Sequence, residues 1–202
     1  MLKSSGAANP FSAALGRLFA NIPFHPNTIT IFSIIFAVAG FALFLYPCQL
    51  AFGFAFFLLA FFFDVVDGAV ARAKGLVSKK GAFLDGISDR IVEFFLILAL
   101  FVSTTDRTTQ LLLVSILFFG TCMTAFVKAY AEHSGLMGND SAKRMPGILE
   151  RAERSVLLLL VPLLMLLDAT RFVVPLLALI ALLSLTTFLQ RLYLALSFPG
   201  ES

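Results

Sequence analysis

The chain has 202 residues, of which 59% are apolar and only 13% charged, with a formal net charge of +3. A soluble domain carries about 25% charged residues, so a mean hydropathy of +0.96 excludes an ordinary water-soluble core. It predicts an all-α, polytopic membrane protein organised as a single domain over residues 1–202, and the small charge excess carries no signature of nucleic-acid binding.

The first stretch, Met1 to Phe24, mixes Lys3, Asn9, Pro10 and Arg17 among small residues and has none of the layout of a secretory signal. Within it, Ala13 to Ile22 sets Leu15, Leu18, Phe19 and Ile22 on one side, the pattern of a short juxtamembrane amphipathic helix. Six apolar segments follow, each near the length of about 20 residues that crosses a bilayer. They are Ile29–Tyr46, Leu50–Ala71, Phe83–Ser103, Leu111–Tyr130, Val156–Leu167 extended at both ends, and Val173–Leu196. Gly40 and Gly53 read as helix-packing positions. Cys48 and Cys122 have neither metal-like nor disulfide-like spacing and read as buried thiols. Gly135 to Gly147 is the one long polar, glycine-rich loop, a candidate mobile connector.

Of the Lys and Arg residues, only Arg107 and Arg171 fall in the breaks on one side of these segments. Positive residues mark the cytoplasmic side. Both termini and the loops after the second and fourth segments are therefore expected in the cytoplasm, with the protein in the plasma membrane.

Asp64, Asp67, Asp85 and Asp89 lie at the cytoplasmic ends of the second and third segments. A carboxylate in hydrocarbon costs a few kcal/mol even on the lenient insertion scale. At about 100° per residue, Asp64 and Asp67 sit roughly 60° apart and Asp85 and Asp89 roughly 40° apart. Two helices joined by a short loop can thus aim all four into one cavity. Such a cluster needs cations, and hard divalent ions such as Mg2+ or Mn2+ take oxygen ligands; a pair of them suits displacement at phosphorus. The plainer alternative is pairing with Arg72, Lys74, Arg90 or Lys128. Gly68 and Ala71 share a stripe with Asp64, and Gly81 and Gly86 flank Asp85, leaving room for a planar ligand.

Asp64-Val-Val-Asp67-Gly68-Ala-Val-Ala71-Arg72 and, beyond it, Gly81-Ala-Phe-Leu-Asp85-Gly-Ile-Ser-Asp89 resemble the DxxDGxxAR…GxxxDxxxD signature of the CDP-alcohol phosphotransferase family. Every fixed position is present. Pro26-Asn27-Thr28-Ile29-Thr30 also resembles a segment common near the N-terminus of that family. The resemblance implies a six-helix membrane enzyme, acting as a homodimer, that transfers a phosphate-linked group from a CDP-linked lipid donor to an alcohol and releases CMP. It further implies that Asp64, Asp67, Asp85 and Asp89 hold two Mg2+ or Mn2+ ions, and that Asp89 is also the base on the acceptor hydroxyl. Asn27, Thr30, Gly68, Ala71, Arg72 and Gly81 would surround the CMP half of the donor.

The acceptor is read from cations among apolar residues: Lys128, Arg151, Arg154 and Arg191 suggest a phosphate partner. Pairing with Glu132, Glu150 or Glu153, or with anionic lipid, is the alternative. Val127-Lys128-Ala-Tyr130-Ala-Glu132, Gly147-Ile-Leu-Glu150-Arg151-Ala-Glu153-Arg154 and Gln190-Arg191 resemble the branch of the family whose acceptor is inositol phosphate, although Tyr130 stands where that branch often has a basic residue. Glycerol 3-phosphate or another polyol phosphate, including with CDP-inositol-type donors, is the alternative within the family. From another class, an ion or proton transporter would also place carboxylates in a membrane. Glu93, one turn beyond Asp89, reads as a helix-to-helix hydrogen-bonding residue or an aid to the site.

Overall fold

The computed structural model describes residues 10–19 and 25–198. Among these residues the secondary structure is all helix, in two compact units, Met1–Ser103 and Thr104–Ser202.

The first unit holds α1 (Pro10–Phe19), α2 (Pro26–Phe44), α3 (Leu50–Ala73) and α4 (Lys79–Val102). Pro26 suits the first helical position, where its missing N–H costs nothing, and the His25 side chain caps the helix by accepting from the Asn27 amide. Ser78 caps α4 through the Gly81 amide at 3.0 Å. Helix α2 is the centre of the unit. It runs against α3 in the opposite sense: Thr30 meets Asp67, Phe36 stacks on Phe63, and Phe44 meets Phe57. It runs beside α4 in the same sense, Ser33 meeting Ser88 and Phe41 meeting Phe95. The starts of α2 and α4 and the end of α3 therefore lie at one end of the unit, which is where the aspartates are.

Gly40 and Gly53 fit the packing role. A Cβ on Gly53 would fall 2.4 Å from a Phe44 ring carbon and 3.1 Å from the Gly40 carbonyl oxygen. Helix α1 packs across α3 at Gly16, whose Cβ would come within 2.8 Å of the Ala69 carbonyl oxygen, and Phe19 meets Phe62 edge-on. The expected juxtamembrane helix is therefore a helix docked on α3 over the described residues, while Ile22 lies outside them.

The second unit holds α5 (Arg107–Ser115), a π-helix (Ile116–Met123), α6 (Thr124–His133), α7 (Asn139–Arg144), α8 (Arg151–Leu166) and α9 (Val173–Leu196). The first three form one continuous rod. It runs in the same sense as α9, with Phe119 against Phe188 and Thr124 against Arg191.

Six membrane spans were expected; four helices among the described residues are long and apolar enough, Pro26–Phe44, Leu50–Ala73, Arg107–His133 and Thr170–Leu196. The two that fall short do so for physical reasons. Helix α4 carries Lys79, Lys80, Asp85, Asp89, Arg90 and Glu93, a charge load set by the site. Helix α8 has 16 residues, which at ~1.5 Å per residue is shorter than a hydrocarbon core of about 30 Å. Exposed Leu179, Leu182 and Leu189 on α9, and Phe52, Leu58 and Leu59 on α3, give the spans the apolar exterior that lipid requires. The protein is a membrane protein by this measure. Cys48 and Cys122, expected to be buried, are both exposed.

Candidate active site

Ligand oxygens of Asp64, Asp85 and Asp89 lie within 4.8 Å of one another. Asp64 comes from the second half of α3, Asp85 and Asp89 from the first half of α4, and the short connection through residues 74–78 brings them to one level. Asp64 and Asp89 are buried and Asp85 is half-buried, so the cluster opens on one side. Three carboxylates this close repel unless cations or protons sit among them. An all-oxygen set of this kind suits a hard divalent ion.

The fourth aspartate is placed differently. Asp67 is buried at 2% exposure and stands outside that group of three. Its Oδ2 accepts from Thr30 Oγ1 at 2.6 Å, and its buried Oδ1 accepts no hydrogen bond. The spacing argument thus brings three of the four carboxylates together and leaves Asp67 turned to α2. An orphaned buried carboxylate oxygen is the kind of ligand atom a cation satisfies, so the residues present fit a divalent metal. The Arg90 guanidinium lies 3.9 Å from Asp89 Oδ2 and donates to the Gly86 carbonyl. This gives Asp89 an ion pair as well as a place in the cluster.

The glycines at the site contrast with those in the packing seam. A Cβ on Gly68 would meet only the Arg72 guanidinium, at 3.3 Å, and one on Gly86 only the Arg90 guanidinium, at 3.7 Å. Gly81 faces the Ser78 hydroxyl at 3.1 Å and Asn27 Oδ1 at 3.5 Å. Among the described residues, the nearest atoms to all three are polar side-chain tips. Asn27, Gly68, Arg72 and Gly81 therefore line the same end of the unit as the carboxylates; Ala71 lies between Gly68 and Arg72 in sequence and is half-buried.

In the second unit, Arg154 and Arg191 are buried and Lys128 and Arg151 half-buried. Arg154 is buried at 3% exposure, and its side chain passes Gly120 of the π-helix, where a Cβ would meet Arg154 Cδ at 3.1 Å and Ser184 Oγ at 2.9 Å. Arg191 donates to the main-chain carbonyls of Thr124 at 3.0 Å and Pro146 at 3.3 Å. Partners of this kind are carbonyl oxygens, which no charge pattern reveals. Lys128 reaches the Lys143 carbonyl at 3.4 Å. Glu150 and Glu153 form a capping box at the start of α8, with the Glu150 amide donating to Glu153 Oε2 at 3.0 Å. The stretch Gly135 to Gly147, expected as a mobile loop, contains helix α7, and its Pro146 carbonyl accepts from Arg191; just beyond it the Leu149 amide donates to Thr187 Oγ1 at 2.9 Å.

Two hydroxyls went unread in the sequence. Ser33 and Ser88 are fully buried and 3.0 Å apart. The signal was present as a stripe of small or polar residues on α2, Thr30, Ser33, Ala37 and Gly40, at helical spacing. The π-helix had no signal, since its widened turn depends on tertiary packing.

A family model described as CDP-alcohol phosphatidyltransferase matches residues 24–190. The phosphatidylinositol phosphate synthase of Mycobacteroides abscessus is 35% identical over 156 residues, covering 75% of this chain and 66% of that protein. The archaetidylinositol phosphate synthase of Pyrococcus horikoshii is 31% identical over 179 residues, covering 89% and 87%. Among solved structures, the Mycobacterium tuberculosis phosphatidylinositol phosphate synthase (PgsA1) with CDP-DAG bound superposes with a TM-score of 0.76 at 28% identity, over 95% of this chain and 96% of that one. The same enzyme in complex with manganese and citrate matches at 0.76 and 28%, over 94% and 90%.

Proposed function

Because the chain belongs to the CDP-alcohol phosphatidyltransferase family of phosphotransferases, we propose that it transfers a lipid phosphate from a CDP-linked donor to the hydroxyl of inositol 1-phosphate, releasing CMP. The observation that carries this reading is the meeting of Asp64, Asp85 and Asp89 oxygens within 4.8 Å. The similarity to synthases of phosphatidylinositol phosphate and archaetidylinositol phosphate supports the acceptor. The lipid tails of the donor are diacylglycerol or archaeol.

Asp64, Asp67, Asp85 and Asp89 would hold Mg2+ or Mn2+, as a relative in complex with manganese supports. Such ions neutralise the diphosphate and improve CMP as a leaving group. In the transfer, the acceptor oxygen bonds to the lipid-bearing phosphorus, the bond from that phosphorus to the CMP oxygen breaks, and CMP keeps the electron pair. Asp89 takes the acceptor proton. Asn27, Thr30, Gly68, Ala71, Arg72 and Gly81 shape the space for the CMP half. Positioning supplies most of the rate, because an aspartate is a weak base.

Lys128, Arg151, Arg154 and Arg191 hold the phosphate of the acceptor. The burial of Arg154 supports this, since a buried guanidinium needs anions or carbonyls around it. The active face and the termini lie on the cytoplasmic side of the plasma membrane, as the scarcity of Lys and Arg in the opposite loops supports. The molecule works as a homodimer. The acceptor is tested by incubating purified protein with CDP-diacylglycerol, Mn2+ and, separately, inositol 1-phosphate, glycerol 3-phosphate and free inositol. CMP release with inositol 1-phosphate well above the other two is expected. Preference for glycerol 3-phosphate would move the chain to another acceptor, and preference for free inositol would remove the phosphate clamp.

A further inference from the structure

We infer that Thr30, with Ser33 and Ser88 behind it, is a positioning device that fixes the Asp67 carboxylate for metal ligation. This inference rests on the carboxylate cluster being a divalent-metal site.

The argument follows the protons. A hydroxyl carries one proton and two acceptor lone pairs. Ser33 Oγ lies 2.7 Å from the Thr30 carbonyl, which can only accept, so the Ser33 proton is committed there. In the 3.0 Å contact between Ser33 and Ser88 the donor is therefore Ser88. The Thr30 hydroxyl has two acceptors, the Pro26 carbonyl at 3.2 Å and Asp67 Oδ2 at 2.6 Å. The shorter has the length of a charge-assisted hydrogen bond to a carboxylate. The result is a directed chain, Ser88 to Ser33 to the backbone of Thr30, with the Thr30 side chain ending on Asp67.

Placement makes this chain more than helix glue. Thr30, Ser33 and Ser88 are all buried, so little water competes for their hydrogen bonds. Ser88 immediately precedes Asp89, so the contact that ties α4 to α2 also sets the depth of the cluster residue beside it. Asp67 Oδ2 is occupied by Thr30, which leaves Oδ1, buried and accepting no hydrogen bond, as the oxygen available to a cation. The hydroxyl thereby selects which oxygen ligates and holds the plane of the carboxylate. Groups that orient metal ligands in this way change metal affinity when removed, typically by 10–100-fold.

The test uses the full chain in detergent without a donor, so that the readout is metal binding and not turnover. Mn2+ affinity is measured by electron paramagnetic resonance of the free ion for wild type, Thr30→Val, Thr30→Ser and Ser88→Ala, and CMP affinity is measured in parallel. Thr30→Val, close in shape but without the hydroxyl, should weaken Mn2+ binding by roughly 10–100-fold, and Thr30→Ser should restore it. Ser88→Ala should weaken it less, in the same direction. Unchanged Mn2+ affinity in Thr30→Val, with weaker CMP binding, overturns the inference and leaves Thr30 a nucleotide contact only. Should Thr30→Val lose its melting transition, the other two variants decide: unchanged Mn2+ affinity in Ser88→Ala, or no recovery in Thr30→Ser, overturns it. An Asp64→Ala control separates the two levels. Mn2+ bound undiminished by that variant, or not at all by wild type, means that the metal reading itself has failed.

Discussion

Glycines of the first unit do two kinds of work, and the difference lies in what stands opposite each. Gly53 faces Phe44 and the Gly40 carbonyl, so an added methyl group collides with packed atoms. The nearest atoms to a Cβ on Gly68 are those of the Arg72 guanidinium, the far end of a long side chain. Gly53→Ala should therefore lower the melting temperature, at the ~1–3 kcal/mol typical of overpacking, and leave the kinetic constants of the folded fraction alone. Gly68→Ala should leave the melting temperature unchanged and raise the KM for the CDP donor about tenfold, an effect of roughly 1.4 kcal/mol. Thermal melts and donor titrations on the two variants check both; a Gly68→Ala protein that melts early with a normal donor KM would assign Gly68 to packing. The aspartates themselves were legible as residues, because carboxylates in an apolar helix have few other reasons to be there. Which oxygen of each is engaged was not legible. The Thr30 hydroxyl reaches Asp67 across 37 positions of sequence, and no local pattern encodes that.

Helix boundaries were set largely by caps that can be read from side-chain chemistry. Asp106 opens the 107–133 rod, its Oδ2 accepting from the Thr109 amide at 2.7 Å and the Thr109 hydroxyl at 2.6 Å. Those hydrogen bonds, the hydroxyl first, hold the Asp106 carboxyl below the usual carboxylate range. A folded pKa below the unfolded one means that the cap stabilises the helix at pH above the ordinary aspartate value of about 3.9. That contribution is lost as pH falls through the lowered folded value. Amide exchange at Thr108, Thr109 and Gln110 should accordingly quicken in Asp106→Ala at neutral pH, and the wild type should approach the variant only in strong acid. Equal exchange in both proteins at neutral pH would show that the cap does not hold this end. Other features of the elements could not be read in advance. The π-helix at Ile116–Met123 looks in sequence like any apolar α-helical stretch, and its Gly120 lies where a Cβ would meet Ser184 and Arg154. Cys122 sits on the exposed side of that segment, a direction that periodicity from a regular helix would misjudge.

For the whole molecule, composition carried the membrane class and the all-helical fold, because no soluble core accounts for so few charges. It overcounted the spans for one reason in each case. Helix α4 is apolar enough only beyond Glu93, its first half being given over to charged residues, and α8 stops at 16 residues with Pro162 inside it. The motif from Asp64 to Asp89 conveyed the chemistry because it is local, two helix ends and the turn between them. The residues proposed for the acceptor, Lys128, Arg151, Arg154 and Arg191, are scattered over three helices, and the hydrogen bonds of Lys128 and Arg191 to carbonyls emerged only in the fold. The central claim is that the carboxylate cluster performs a metal-dependent transfer from a CDP-linked lipid. It is tested most directly by CMP release from CDP-diacylglycerol and inositol 1-phosphate, measured on wild type and Asp64→Ala before chelation, after exhaustive EDTA, and after Mn2+ is restored. The account predicts release by wild type that vanishes with EDTA and returns with Mn2+, and no release by a folded Asp64→Ala under any of the three conditions. Undiminished release after chelation, or release by Asp64→Ala at the wild-type rate, would contradict it.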